Sequence, residues 1–256
     1  MPRAGEALRL LLLGGTREAR EIATALAGEA GITVVTSLAG RTRTPLRPPG
    51  ALRVGGFGGI DGLVAWLREA EIDFVLDATH PFARRISAHA REACRRLRLP
   101  HLRLERPPWR AEEGDRWLEM PDLDAALTVL PRFGRRVFVN LGRQEVARLA
   151  TCPECRFLLR VVEPLPELPG NVEMVAGRPP YTVAGDRALL ARCGIQALLV
   201  RNSGGQGAYP KLVAARQLGL PVVMIARPAP LAGDHLVSAE AAIAAVLAHS
   251  RGRSRW

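Results

Sequence analysis

The apolar positions of this 256-residue chain fall into short continuous runs separated by stretches of helical spacing. "LRLLLL", residues 8–13, is the first run. After Gly14-Gly15-Thr16, the residues Ala19, Ile22, Ala23 and Leu26 repeat at helical intervals, and Gly28 suits the helix end. Further strand-like runs fall at 32–36, 52–54, 73–77 and 101–104. A helix capped by Asp61 carries Leu63, Val64 and Leu67, and another presents Ile86, Ala90, Ala93, Cys94 and Leu97 as its inner stripe. Such alternation predicts a parallel, doubly wound sheet.

Residues 105–121, "ERPPWRAEEGDRWLEMP", break the rhythm and read as a connecting segment. Alternation then resumes. Strands are predicted at 137–141, 157–162, 172–175, 197–201 and 222–225, with helices near 124–130, from Arg143, over 182–193 and 208–218, and a closing helix over 239–248. The expected fold is α/β, with two parallel-sheet domains joined by a hinge. Residues 1–104 form the first domain, 105–133 the connection and 134–256 the second. Ligands of such sheets lie beyond the carboxyl ends of the strands, so the loops there carry the chemistry.

Five of these loops stand out. Gly14-Gly15-Thr16-Arg17-Glu18 lets the backbone turn sharply, and Thr16 can cap a helix whose N-terminal amides favour an anion. It suits a phosphate cradle or a plain strand-to-helix turn, because the G-x-G-x-x-G spacing is absent. The second loop, Ser37-Leu38-Ala39-Gly40-Arg41-Thr42-Arg43, lies where an NAD-binding unit places an acidic residue for the ribose 2′-hydroxyl. Hydroxyls and guanidinium groups stand there instead. They would hold a 2′-phosphate through charge-assisted bonds of roughly 1.5–3 kcal/mol, which favours NADPH over NADH. A solvated basic loop is the other reading. Gly55-Gly56-Phe57-Gly58-Gly59 permits close approach by a ligand or by backbone. Asp77-Ala78-Thr79-His80-Pro81-Phe82-Ala83 sets His80 at a strand end, where it could donate a proton near neutral pH or serve structure alone. Arg201-Asn202-Ser203-Gly204-Gly205-Gln206-Gly207, ahead of Lys211, repeats the first loop's logic and suits a carboxylate or phosphate.

Composition narrows the classes. Apolar residues make up 48%, enough for a proper core. No apolar run approaches the roughly 18–20 residues that span a bilayer, and residues 1–6 resemble no secretory signal, so a cytoplasmic protein without membrane contact is expected. The net charge of +11 comes almost wholly from arginine, since Lys211 is the single lysine among 36 basic residues. Arg84, Arg85, Arg91, Arg95, Arg96 and Arg98 surround an apolar stripe, as on a solvated helix face. Aromatics are 5% and not interleaved with them, which weakens a nucleic-acid reading. A basic site for a polyanionic small molecule remains open. The four cysteines make no disulfide framework, and Cys152-Pro153-Glu154-Cys155 lacks the further ligands of a zinc site. No metal is expected.

"LLLGGTREAR", "VTSLAGRT", "GGFGG", "DATHPFA", "LERPPW", "GRQE" and "RNSGG", in this order, resemble the precorrin-6A reductase family of cobalamin biosynthesis over roughly residues 8–247. The resemblance implies two Rossmann-like domains with the active site in the cleft between them. It implies an NADPH-dependent oxidoreductase that reduces a ring double bond of the tetrapyrrole precorrin-6A to give precorrin-6B. Carried over by motif, Gly14, Gly15, Thr16, Arg17 and Glu18 would contact the cofactor diphosphate and adenosine side. Ser37, Arg41 and Thr42 would hold the 2′-phosphate, while Gly56, Thr79 and His80 line the nicotinamide end. Arg143, Asn202, Ser203, Gly204 and Lys211 would face the tetrapyrrole, as would Arg201, where many members carry lysine. His80 or a bound water would supply the proton. The cobalt-precorrin-6A enzyme of the anaerobic pathway, or another NAD(P)H-dependent reductase, is the alternative, and a basic nucleic-acid-binding protein the outside one. Hand-over of product to the next pathway enzyme is a partnership the resemblance allows.

Overall fold

Strand β1 (Leu8–Leu13) is buried on both faces, as befits the centre of a parallel sheet. In the computed structural model, which describes residues 7–40, 47–230 and 235–253, Leu8, Leu10 and Leu12 pack under helix α1 (Arg17–Leu26). Leu11 and Leu13 face the opposite layer, where Leu63 and Leu67 of α2 (Gly59–Glu69) meet Ala90, Ala93 and Cys94 of α3 (Arg84–Leu97). The period of two along one strand thus feeds two separate cores.

The remaining strands of this sheet are β2 (Ile32–Leu38), β3 (Ala51–Val54), β4 (Phe74–Asp77), β5 (His101–Leu104) and, much later in the chain, β12 (His235–Leu236). Their spatial order is β12-β5-β4-β1-β2-β3, parallel throughout. Counted from the far edge this is the 3-2-1-4-5-6 order of dinucleotide-binding sheets, and the order reverses between β1 and β4.

The second sheet repeats the plan. It contains β6 (Arg116–Met120), β7 (Arg136–Asn140), β8 (Arg156–Val161), β9 (Val172–Ala176), β10 (Ala197–Arg201) and β11 (Pro221–Ile225), in the order β6-β11-β10-β7-β8-β9. Helices α4 (Leu123–Val129), α5 (Val183–Arg192) and α6 (Pro210–Gln217) accompany it. Phe138, Leu158, Leu198, Leu212, Val222 and Met224 build its core with Trp109. Its switch point lies between β7 and β10.

Several expected boundaries move. The chain divides into one unit of residues 1–106 with 229–256 and a second of residues 107–228. The predicted connection at 105–133 therefore supplies β6 and α4 to the second unit. Its charged, proline-rich composition hid an edge strand, whose exposed Arg116 and Glu119 suit a strand paired on one side only. The closing helix α7 (Ala239–Arg253) belongs to the first unit, because Ala239, Ala242 and Val246 complete the core over α1. The segment after Arg143 is a 3-10 helix over Arg143–Thr151, not an α-helix. Gly58, with φ 76°, caps α2, and Asp61 sits in the first turn instead.

Candidate active site at the strand switch points

Chain reversal after β1 needs glycine. Gly15 has φ 108°, a conformation that side-chain-bearing residues rarely adopt, and a Cβ there would meet open space. Gly14 instead lies close over β2: its amide donates to the Ser37 carbonyl at 2.9 Å, and a Cβ would press on Thr36 and Leu38. Thr16 does two tasks. Its hydroxyl oxygen accepts from the Ala19 amide at 3.1 Å as the cap of α1, and it donates to the Ala78 carbonyl at 2.8 Å. One side chain thereby joins the loops after β1 and β4 across the reversal. Arg17 pairs along the helix with Glu21, while Glu18 forms a largely buried ion pair with Arg106 at 2.6 Å.

The β4 loop rests on a buried charge. Asp77 and Arg103 are register partners on adjacent strands, joined at 2.5 Å. Asp77 also accepts from the Thr79 amide at 3.0 Å and its hydroxyl at 2.7 Å. Ser87 of α3 bonds both Thr79 and Arg103, and Glu105 takes the Arg103 Nε at 2.7 Å. Burial alone would lower the Arg103 guanidinium pKa, but Asp77 and Glu105 outweigh it and hold it above its ordinary value. Half-buried His80 follows. Its Nδ1 accepts from the Phe82 amide at 3.3 Å, so the neutral ring carries its proton on Nε2.

Of the other predicted cofactor residues, Ser37 is buried at the end of β2, beside Gly14. The Thr36 hydroxyl next to it is buried without a hydrogen-bond partner among the described residues. Arg41 and Thr42 lie outside the described residues. Gly56 is set by Arg53, whose guanidinium donates to the Gly55 and Gly56 carbonyls and stacks 3.7 Å over the Phe57 ring. A dinucleotide suits this set. There is open space over Gly15, a capped helix start, an orphan hydroxyl at the end of β2, and no carboxylate on Thr36, Ser37 or Leu38 to repel a 2′-phosphate.

At the second switch point, Arg201 ends β10 and pairs with Glu145, whose carboxylate also accepts from the Gly142 amide at 3.3 Å. Arg143 lies exposed beside them. Ser203 is buried, and Gly204 has φ 64° with the Pro107 carbonyl so close that a Cβ would overlap it. Asn202 and Lys211 are interior groups. Both polar atoms of the Asn202 amide are taken by the Trp109 backbone. Lys211 is 3% exposed, and its Nζ donates to the Ala208 carbonyl at 2.5 Å. Burial, with help from nearby Arg160, lowers its pKa to about 7. These side chains shape the loop rather than project from it.

Spacing arguments missed Asp77, Ser87, Arg103, Glu105, Arg106, Trp109 and Glu145. Asp77 closing a buried strand was a signal that a cation must face it, though only the strand register reveals Arg103. Cys94, Cys152 and Cys155 are buried free thiols, and that of Cys155 is pushed up to about 12 by burial and by its hydrogen bond with Cys152.

Comparison with known proteins gives a consistent set of relatives. The sequence pattern of precorrin-6x reductase CbiJ/CobK matches residues 9–248. A precorrin-6A reductase of Rhodobacter capsulatus is 46% identical over 88% of this chain and 90% of its own. One from Mycobacterium tuberculosis is 46% identical over 86% and 89%. A cobalt-precorrin-6A reductase of Salmonella typhimurium is 28% identical over 96% of each chain. The solved structure titled CobK precorrin-6A reductase superposes with a TM-score of 0.90 at 43% identity, covering 94% of this chain and 97% of that one.

Proposed function

The chain belongs to the precorrin-6x reductase CbiJ/CobK family, and from that premise we propose that it reduces a ring double bond of precorrin-6A to give precorrin-6B, with NADPH as the reductant. The metal-free substrate is preferred because the relatives named for it share 46% identity, against 28% for the cobalt enzyme. The observation that carries the cofactor assignment is the Thr16 bridge. It fixes the glycine turn, the start of α1 and the β4 loop as one seat at the topological switch point.

Bound there, the reduced nicotinamide supplies the hydride. The chain's own residues provide grip, orientation and a proton. Gly14 and Gly15 with the first amides of α1 hold the diphosphate, and Arg17 flanks it. Glu18, neutralised by Arg106, adds no uncompensated negative charge beside that seat. Ser37, Arg41 and Thr42 take the 2′-phosphate, while Gly56 and Thr79 bound the nicotinamide end. The proton that the second carbon of the reduced bond requires comes from the His80 imidazolium or from a bound water beside it. From the second unit, Arg143, Arg201, Ser203 and Gly204 recognise the acidic side chains of the tetrapyrrole, where a guanidinium gives paired, charge-assisted bonds.

Calorimetric titration with NADPH and NADH, followed by turnover with precorrin-6A, tests this. Micromolar NADPH binding, much weaker NADH binding and coenzyme oxidation only with the tetrapyrrole present are expected. Coenzyme that neither binds nor is consumed overturns the reading.

A further inference from the structure

The stretch Pro107–Asp115 lies against the loop that follows β10 and is joined to it by several hydrogen bonds. The Trp109 amide donates to Asn202 Oδ1 at 2.8 Å, and Asn202 Nδ2 donates to the Trp109 carbonyl at 3.0 Å. The indole Nε1 donates to the Gly205 carbonyl at 2.8 Å. Pro107 reaches so near Gly204 that only glycine fits. Beneath the indole, 4.9 Å from its ring, lies the Lys211 amino group, which donates to the Ala208 carbonyl. Farther along, Asp115 and Glu112 lock onto Arg216 at 2.8–3.0 Å, and Glu112 accepts from the Tyr209 hydroxyl at 2.6 Å.

Trp109 therefore holds the start of the 203–208 loop through Asn202 and its middle through the Gly205 carbonyl, while Lys211 holds the far end at Ala208. Trp109 is 8% exposed, yet it spends its single side-chain donor on a loop carbonyl. Apolar packing alone would need only the ring. The group that gains is the run of backbone from Ser203 to Ala208, beside the Arg201 guanidinium.

We propose that Trp109 is a positioning residue for the reaction: with Asn202 and Lys211 it sets the 203–208 loop in the shape that receives the tetrapyrrole. The inference rests on the reading that this loop contacts substrate. Asn202 and Lys211 act through the loop and not by touching the substrate, which refines the roles their motif suggests.

Trp109→Phe keeps a buried ring and deletes the indole donor, while Lys211→Met keeps length and deletes the donor to Ala208. With melting temperatures within a few degrees of the parent, both variants should show at least tenfold faster amide hydrogen exchange at residues 204–208. KM for precorrin-6A should rise about tenfold, kcat should change less than threefold, and NADPH affinity should stay within twofold. Unchanged exchange and unchanged KM in either folded variant overturn the proposal, as does an equal loss of NADPH affinity. Arg201→Gln separates the two layers of the argument. If it too leaves KM unchanged, the loop is not the substrate site. If it raises KM while Trp109→Phe does not, the Trp109 role alone is wrong.

Discussion

Arg103 and Asp77 form an ion pair with both side chains buried, 5% and 0% exposed, at the carboxyl end of β4. The Thr79 amide and hydroxyl hang from the same carboxylate. Arg103→Met therefore leaves Asp77 charged and uncompensated in the interior, a loss of about 3–5 kcal/mol. Urea denaturation should show that fall. Replacing both partners together, Asp77→Leu with Arg103→Met, should recover much of it, because no buried charge is then left alone. The double variant should nevertheless bind coenzyme poorly, since Thr79 loses its anchor.

Thr16→Val tests the seat itself. Loss of the cap alone costs about 0.5–2 kcal/mol of stability. The tie to Ala78 disappears as well, so NADPH affinity should fall by at least tenfold. Thr16→Ser restores both hydrogen bonds and should restore binding; calorimetry on the pair decides the point.

Arg41→Ala addresses coenzyme choice. Removing one charge-assisted contact to the 2′-phosphate should weaken NADPH by about 2 kcal/mol and leave NADH nearly unchanged. Equal losses for the two coenzymes would remove that assignment.

Lys211 gives stability a distinctive pH dependence. Its pKa falls from 10.5 to about 7 on folding, chiefly through burial. Between those values the unfolded chain holds a proton that the folded chain lacks, so this group makes stability rise with pH from about 7 to 10, by at most about 1.4 kcal/mol per pH unit. Below pH 7 the penalty for charging the buried amine is complete. Lys211→Met should be the more stable protein near pH 7, with the difference shrinking as pH rises. Parallel pH profiles for the two proteins would show that the amine does not titrate this way.

Much of this architecture is written in local pattern. Apolar runs marked β1, β4, β7 and β10, and glycine with a hydroxyl marked the turns after β1 and β10. Those signals act over a few residues, so reading along the chain finds them. What escaped is held by distant partners. β12 is two residues long and exists only because His235 and Leu236 find Arg103 and Leu104. β6 carries Arg116 and Glu119 and holds its place by pairing with β11, 105 residues away in the case of Arg116 and Pro221. Asn202 resembled a ligand donor by position, and the Trp109 backbone that occupies it lies 93 residues earlier. In the second sheet, an edge strand contributed from before β7 replaces the late-arriving edge of the first, a permutation that no local pattern encodes.

The return of β12 and α7 to the first sheet has a consequence for biosynthesis. The first unit is interrupted, and its hydrophobic cover over α1 arrives only when residues 235–253 have left the ribosome. The inserted unit, residues 107–228, is continuous and already in hand by then. Folding order should run opposite to gene order, with the insert maturing first and its host closing around the final helix. A nascent chain halted after residue 228 would accordingly hold one finished sheet and one with its flank still open to solvent, the species on which a chaperone would act.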